Sequence, residues 1–122
     1  MRNSLDGTWS SSSHSDPLVV EPGDSEAEIL VTLPHEVPHE PCVLRMTLAS
    51  ADATTATLRV CQTCIDSGSE TTRTDRYPSG SLVLGADGTL VLSLDVITQE
   101  PTDPPRSCGD RSSRHDTLSF RR

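Results

Sequence analysis

Residues 81–96 read SLVLGADGTLVLSLDV, two runs of alternating apolar residues joined through an Asp-Gly pair. A period of two places the leucines on one face of a strand and the intervening side chains on the other. An Asp-Gly pair between two such runs is typical of a tight turn that requires a positive φ. The stretch therefore predicts an antiparallel hairpin that turns at Asp87 and Gly88.

Shorter runs of the same kind occur on both sides of this hairpin, at 18–20, 29–33, 42–48, 58–60 and 117–120. They are separated by turn-forming residues, and the nine prolines lie mostly between the runs, as strands require. Runs spaced by roughly 8–12 residues predict an all-β domain with about seven short antiparallel strands. We expect a disulfide-stabilised β-sandwich of the jelly-roll or immunoglobulin-like type, or a small barrel.

The remaining segments are polar. Residues 1–16 are expected to be a flexible N-terminal lead-in, with Trp9 either packed onto the body or exposed, and 17–122 are expected to form a single β-sandwich domain. Residues 66–80 and 98–116 are rich in Ser, Thr, Asp, Arg and Pro, so we predict solvated loops there. Loops on a rigid scaffold are the usual place for partner binding.

Composition excludes several function classes. The net charge is −8 and every basic residue is an arginine. An acidic chain is poorly suited to nucleic acid or anionic membrane surfaces, which attract basic patches. No apolar stretch approaches the ~20 residues of a membrane span. We therefore expect no nucleic-acid binding and no membrane insertion. The N-terminus shows no signal-peptide pattern, which suggests either an intracellular protein or a piece of a larger exported chain.

Four cysteines, Cys42, Cys61, Cys64 and Cys108, allow three disulfide pairings. Cys61 and Cys64 are three residues apart and would face opposite sides of a strand, so they are poorly placed to bond each other. We predict the pairs Cys42–Cys64 and Cys61–Cys108, each of which would contribute roughly 2–4 kcal/mol. Zinc is the rival interpretation, because Cys61 and Cys64 have ligand spacing and the other two cysteines could complete a tetrahedral site.

The stretch from His35 to His39 matches the His-Glu-x-x-His signature of zinc metalloproteases. That chemistry needs both histidines on one face of a helix, but Pro38 lies between them and opposes helical geometry. The surrounding prolines favour an extended connection in which positions four apart do not align. We predict a solvated loop here and no catalytic metal.

Two further motifs are weak. Acidic groups at 66–70, and Asp103 with Asp110, leave a weak calcium site in the loops as an open alternative, although neither follows the EF-hand spacing. Adjacent His, Ser, Asp or Arg residues at 14–16 and 114–116 do not make a triad, because a triad is assembled from distant residues around a pocket. The sequence predicts no catalytic residues and no enzyme.

The sequence therefore predicts a non-catalytic extracellular or secreted interaction or spacer domain. It would be part of a larger secreted or cell-surface protein and would bind a protein partner through its loops, without a cofactor. The alternative is an intracellular or viral zinc-stabilised β domain that acts as a protein-binding adaptor. Mass measurement with and without reductant separates them, since two disulfides lower the mass by four hydrogens.

Overall fold

The computed structural model describes residues 4–122 apart from 13, 34–41, 51–52, 59, 67–72, 100–101, 106, 110 and 113; the side chains of 14–16, 64–66 and 73–74 also lie outside the description. Within those limits the chain forms nine strands: β1 Gly7–Ser11, β2 His14–Pro22, β3 Glu28–Thr32, β4 Val43–Leu48, β5 Thr55–Thr57, β6 Gln62–Asp66, β7 Arg73–Leu84, β8 Leu90–Gln99 and β9 Arg114–Phe120. No helix in this part of the chain is long and apolar enough to cross a membrane.

The strands form one antiparallel sheet in the order β1-β2-β3-β4-β5-β7-β8-β9, with β6 paired to β7 beside β5. If β6 is set aside, each strand therefore pairs with the strands that precede and follow it in sequence. The two ends of the sheet meet where Ser10 and Arg121 exchange backbone hydrogen bonds of 2.6 and 2.8 Å. The sheet thereby curls around one hydrophobic core, and each strand has an inner and an outer face.

Alternation along the strands decides which side chains enter the core. In β8 the even-numbered residues from Leu90 to Val96 are buried, and the intervening residues up to Asp95 are half-buried. β4 follows the same rule, with Leu44, Met46 and Leu48 inside. A period of two is what a sheet with one buried face requires.

The predicted hairpin is present as β7 and β8, with Leu82 opposite Leu92. Its turn is closed by hydrogen bonds from Gly85 N to Thr89 O at 2.9 Å and from Gly88 N to Gly85 O at 3.1 Å. Gly88 has a φ of 85°, a conformation that glycine adopts without steric cost. The expectation of a positive φ at the Asp-Gly pair is confirmed.

β7 begins at Arg73, so the loop predicted for 66–80 is wrong over 73–80. The alternation was hidden by a bulge: Arg76 lies opposite Ile97 and Ser79 opposite Asp95, which leaves Tyr77 and Pro78 opposite one residue of β8. Proline has no N–H for the ladder and is tolerated at a bulge. The loop predicted for 98–116 is likewise too long, because β8 extends to Gln99 and β9 starts at Arg114.

β5 and β6 lie end to end along the same edge of β7, with Thr57 opposite Ser81 and Gln62 opposite Tyr77. The strand predicted at 58–60 is the place where this edge is interrupted, and Val60 is 70% exposed there. Gln62 bridges the interruption to β4. Its Oε1 accepts from the N–H of Arg45 and its Nε2 donates to the carbonyl of Arg45, both at 2.7 Å. A side-chain amide thus replaces a missing backbone partner of β4.

The N-terminal segment belongs to the folded body from at least Leu5, in contrast to the lead-in expected for 1–16. Leu5 and Trp9 are fully buried in the core, and the Trp9 indole donates to the carbonyl of Leu5 at 2.9 Å. Arg122 lies over the Trp9 ring, 4.3 Å from its centroid, and donates to the carbonyls of Ser4 and Asp6. The two ends of the described chain therefore hold each other at the point where the sheet closes.

The all-β, antiparallel, disulfide-containing fold predicted from the sequence is confirmed. Two details differ. The described residues contain nine strands instead of about seven, because β1 and β6 were not anticipated. The strands also pair in sequence order, whereas jelly-roll and immunoglobulin domains use Greek-key connections.

Candidate interaction surface

A row of hydroxyl side chains crosses the outer face of the sheet. Residues directly opposite each other in antiparallel strands point to the same face. The cross-strand partners run from Thr47 through Thr57, Ser81 and Ser93 to Thr117. Each is exposed or half-buried, and with strands about 4.8 Å apart the row spans about 19 Å. We call these five residues the hydroxyl row.

A second row lies beside it, nearer the β7–β8 turn, and consists of Thr55, Val83, Val91 and Ser119. Val83 is 39% exposed, which is high for a valine inside a strand. Neither row carries a formal charge, although the chain contains 18 acidic residues. The outer face of β5, β7, β8 and β9 therefore combines hydroxyl groups with small apolar side chains.

On the other side of the hydroxyl row, Ser79, Asp95 and His115 are cross-strand partners on β7, β8 and β9. The Ser79 hydroxyl donates to Asp95 Oδ2, and His115 Nδ1 lies 2.7 Å from Asp95 Oδ1. Hydrogen bonds to the Asp95 carboxyl hold its pKa below the ordinary value, and the bond from Ser79 has a larger effect than the bond from His115. Asp95 thus ties both neighbouring strands together through their side chains.

This cluster contains the residue types of a hydrolase triad in the wrong order. In a triad the histidine lies between the serine and the aspartate and removes the serine proton. Here the aspartate lies between them, and a carboxylate with a lowered pKa is a weak base for Ser79. Of the residues predicted not to form a triad, His115 points to the outer face, whereas Arg114 and Asp116 lie at the inner register positions.

All three aromatic residues of the chain are buried: Trp9, Tyr77 and Phe120 belong to the core. The surface therefore has no aromatic anchor of the kind that dominates many protein interfaces, and no stacking platform for bases. Binding at this surface has to depend on hydrogen bonds, small apolar contacts and charge.

No family model, no curated protein and no solved structure matches this chain. Hydroxyl groups both donate and accept hydrogen bonds, so the hydroxyl row suits a polar partner surface or an extended backbone.

The structure joins Cys61 and Cys108 in a disulfide with a Cα–Cα distance of 6.0 Å. Cys42 is also disulfide-bonded; the side chain of Cys64, its predicted partner, lies outside the described residues.

Ile97 is buried although its neighbours in β8 put it on the outer side. Gln99 donates to the carbonyls of Asp103 and Pro104, so these two bonds and the Cys61–Cys108 disulfide hold the segment that follows β8.

The remaining predicted sites divide in two. His35, His39 and the acidic group at 67–70 lie outside the described residues, as do Asp110 and the side chain of Asp66. Asp103 is described and half-buried. Among the described side chains no group of three or more His, Cys, Asp or Glu residues could hold a metal ion.

Sequence reasoning missed the hydroxyl row and the Ser79–Asp95–His115 cluster. Part of the signal was available, since Ser81 and Ser93 occupy the outward positions of the predicted hairpin. The contribution of β9 was not available, because its register follows a long polar connection that carries no periodicity.

Proposed function

We propose that this chain is a non-catalytic extracellular interaction domain, part of a larger secreted or cell-surface protein, that binds a protein partner through the outer face of β5, β7, β8 and β9. The observation that carries the proposal is the hydroxyl row, an uncharged band about 19 Å long on a chain of net charge −8. This surface replaces the loops as the proposed binding element.

The conformational entropy and the hydrogen-bonding capacity of Ser and Thr side chains both support a role of the hydroxyl row in protein binding. Short Ser and Thr side chains lose little conformational entropy when a partner immobilises them. Serine hydroxyls supply adaptable hydrogen bonds in antibody-type interfaces. Because the aromatic residues lie in the core, we expect an affinity of about 1 μM or weaker.

The compartment is inferred from cysteine chemistry. Disulfides persist in oxidising environments such as the cell exterior and are rare in the cytosol. The Cys61–Cys108 disulfide supports an extracellular location, and its sulfurs are not the thiolates that zinc binds. The mass measurement described above tests this part of the proposal.

Photocrosslinking tests the binding surface. Benzoylphenylalanine incorporated at position 119, beside the hydroxyl row, is exposed to secreted and cell-surface proteins of the native cells. We expect one dominant crosslinked protein. Ser93→Arg should lower its yield severalfold, because it places a long charged side chain in the middle of the row.

Thr32→Arg is the matched control, since Thr32 lies on the outer face of β3, away from the hydroxyl row. It should leave the crosslinked yield unchanged. Equal losses in both variants, or crosslinks spread over many proteins, would show that the hydroxyl row is not a specific binding surface.

A further inference from the structure

The backbone of β9 presents an open edge beside the hydroxyl row. Along a strand, the N–H and C=O of successive residues point alternately to the two sides. Arg121 directs both groups to Ser10, away from β8. By this alternation His115, Thr117 and Ser119 also direct their backbone groups away from β8.

No neighbouring strand reaches these three residues in the part of the chain that the structure describes. β1 meets the C-terminal end of β9 at Arg121 and then turns back, so that Ser11 pairs with His14 of β2. The backbone hydrogen bonds between the two ends of the sheet are limited to Ser10 and Arg121 among the described residues. Three N–H and three C=O groups of β9 therefore face outward in a row.

A row of this kind is complementary to an extended peptide backbone. We propose that His115, Thr117 and Ser119 accept a segment of a partner protein as an added strand, an inference that rests on the proposed function and specifies how the partner is held. Main-chain hydrogen bonds would then supply affinity that a surface without aromatic anchors otherwise lacks. The outward side chains of the added strand would continue the hydroxyl row beyond Thr117.

The net charge disfavours a second copy of the chain as the occupant. Two chains that each carry a net charge of −8 repel each other. Self-pairing is also disfavoured by side chains. The two-fold register that uses all three residues on both copies sets Asp116 opposite Leu118 of the second copy, because Thr117 lies at its centre. We therefore assign the edge to an extended segment of a different protein, one whose Thr and Val side chains match the uncharged rows beside the edge.

Amide hydrogen exchange of the full chain provides the test. The probe is a capped peptide of alternating threonine and valine, with arginine at both ends to keep it soluble. Without it, the amides of His115, Thr117 and Ser119 should exchange rapidly, whereas those of Asp116 and Leu118 are protected by β8. At a peptide concentration about nine times the dissociation constant, exchange at the three outward amides should slow about tenfold.

Thr117→Pro separates the edge from the fold. It removes an outward N–H but no bond of the β8–β9 ladder, so the urea midpoint should change little while peptide protection is lost. Thr117→Val retains the N–H and should retain protection. Slow exchange of the Thr117 amide in the original chain without peptide, at every protein concentration, would show that this N–H belongs to the ladder and would overturn the assignment.

The remaining outcomes are also decisive. Unchanged exchange at the three amides with the peptide overturns strand addition. Protection that appears without peptide and rises with protein concentration overturns it in favour of a second copy. If Thr117→Pro leaves partner crosslinking intact while Ser93→Arg abolishes it, the proposed function stands and the edge proposal fails.

Discussion

Two breaks in the described part of the sheet, one between β4 and β6 and one between β9 and β1, differ in whether other groups replace the missing backbone bonds. Between β4 and β6 the amide of Gln62 bonds both backbone groups of Arg45 at 2.7 Å, and the adjacent Cys61 forms a disulfide with Cys108. Val43, two residues earlier on the same strand, follows the disulfide-bonded Cys42. A side-chain amide thus bridges this first break, and the Cys61–Cys108 disulfide anchors the residue that precedes β6.

The second break is the edge of β9, where the described residues supply no such substitute. Asp95 approaches His115 but bonds its imidazole, which leaves the outward N–H and C=O of His115 for another partner. Exposed edges invite unwanted pairing, and natural proteins usually cover or blunt them. A chain that closes one break with Gln62 and leaves the other open is consistent with the use of the open edge for binding.

The largest expected effect comes from removing the covalent support of the closed break. Replacing both cysteines, Cys61→Ser with Cys108→Ser, deletes a crosslink between residues 47 apart in sequence. We expect the free energy of unfolding to fall by about 2–4 kcal/mol, because the unfolded chain gains conformational freedom. Urea denaturation measures this loss. An unchanged midpoint would mean that Gln62 and the core suffice to hold β6.

The comparison also predicts where this variant changes locally. Exchange at the Arg45 amide should accelerate, because β6 and Gln62 are less firmly placed. Exchange at Thr117 should stay fast in both proteins, since the β9 edge is open in each. A slowing at Thr117 would contradict the view that the two breaks are independent.

A smaller effect is expected from Gln62→Leu, which removes both hydrogen bonds to Arg45 and keeps the apolar part of the side chain. Water can replace bonds at a half-exposed site, so we expect a loss of about 1 kcal/mol. Exchange at the Arg45 amide should increase. Gln62→Glu is the matched control, because it retains an acceptor for the Arg45 N–H but no donor for the carbonyl. It should leave the Arg45 amide protected.

The β7–β8 hairpin could be predicted because its information is local. The alternation of leucines and the Asp-Gly turn lie within 16 consecutive residues, and the structure reproduces both, with Leu84 opposite Leu90 and a positive φ at Gly88. The closing strand at 117–120 was also predicted from its own alternation, and it forms part of β9.

The N-terminal strand could not be predicted, because Trp9 and Leu5 lie in a polar segment too short to show a period. They pack into a core formed by distant strands, and Arg122, at the other end of the chain, covers Trp9. The β9 edge was hidden for a similar reason. Whether the outward backbone groups of His115 meet β1 or solvent depends on where β1 turns back, and no local pattern encodes that position.

The smallest expected effect tests the side-chain bond at the open edge. Asp95 is hydrogen-bonded to Ser79 and His115, which lowers its pKa in the folded chain from the ordinary value of 3.8. A lowered pKa stabilises the fold at pH above that ordinary value, and the contribution is lost as the pH falls toward the folded pKa. Thermal unfolding from about pH 5 to about pH 2 should therefore show a shallower loss of stability for Asp95→Asn than for the original chain.

Asp87, whose pKa is also lowered through its bond from the Thr89 N–H, is present in both proteins, so the difference reports Asp95 alone. Identical pH profiles would mean that His115 is held by the β8–β9 backbone ladder and not by Asp95.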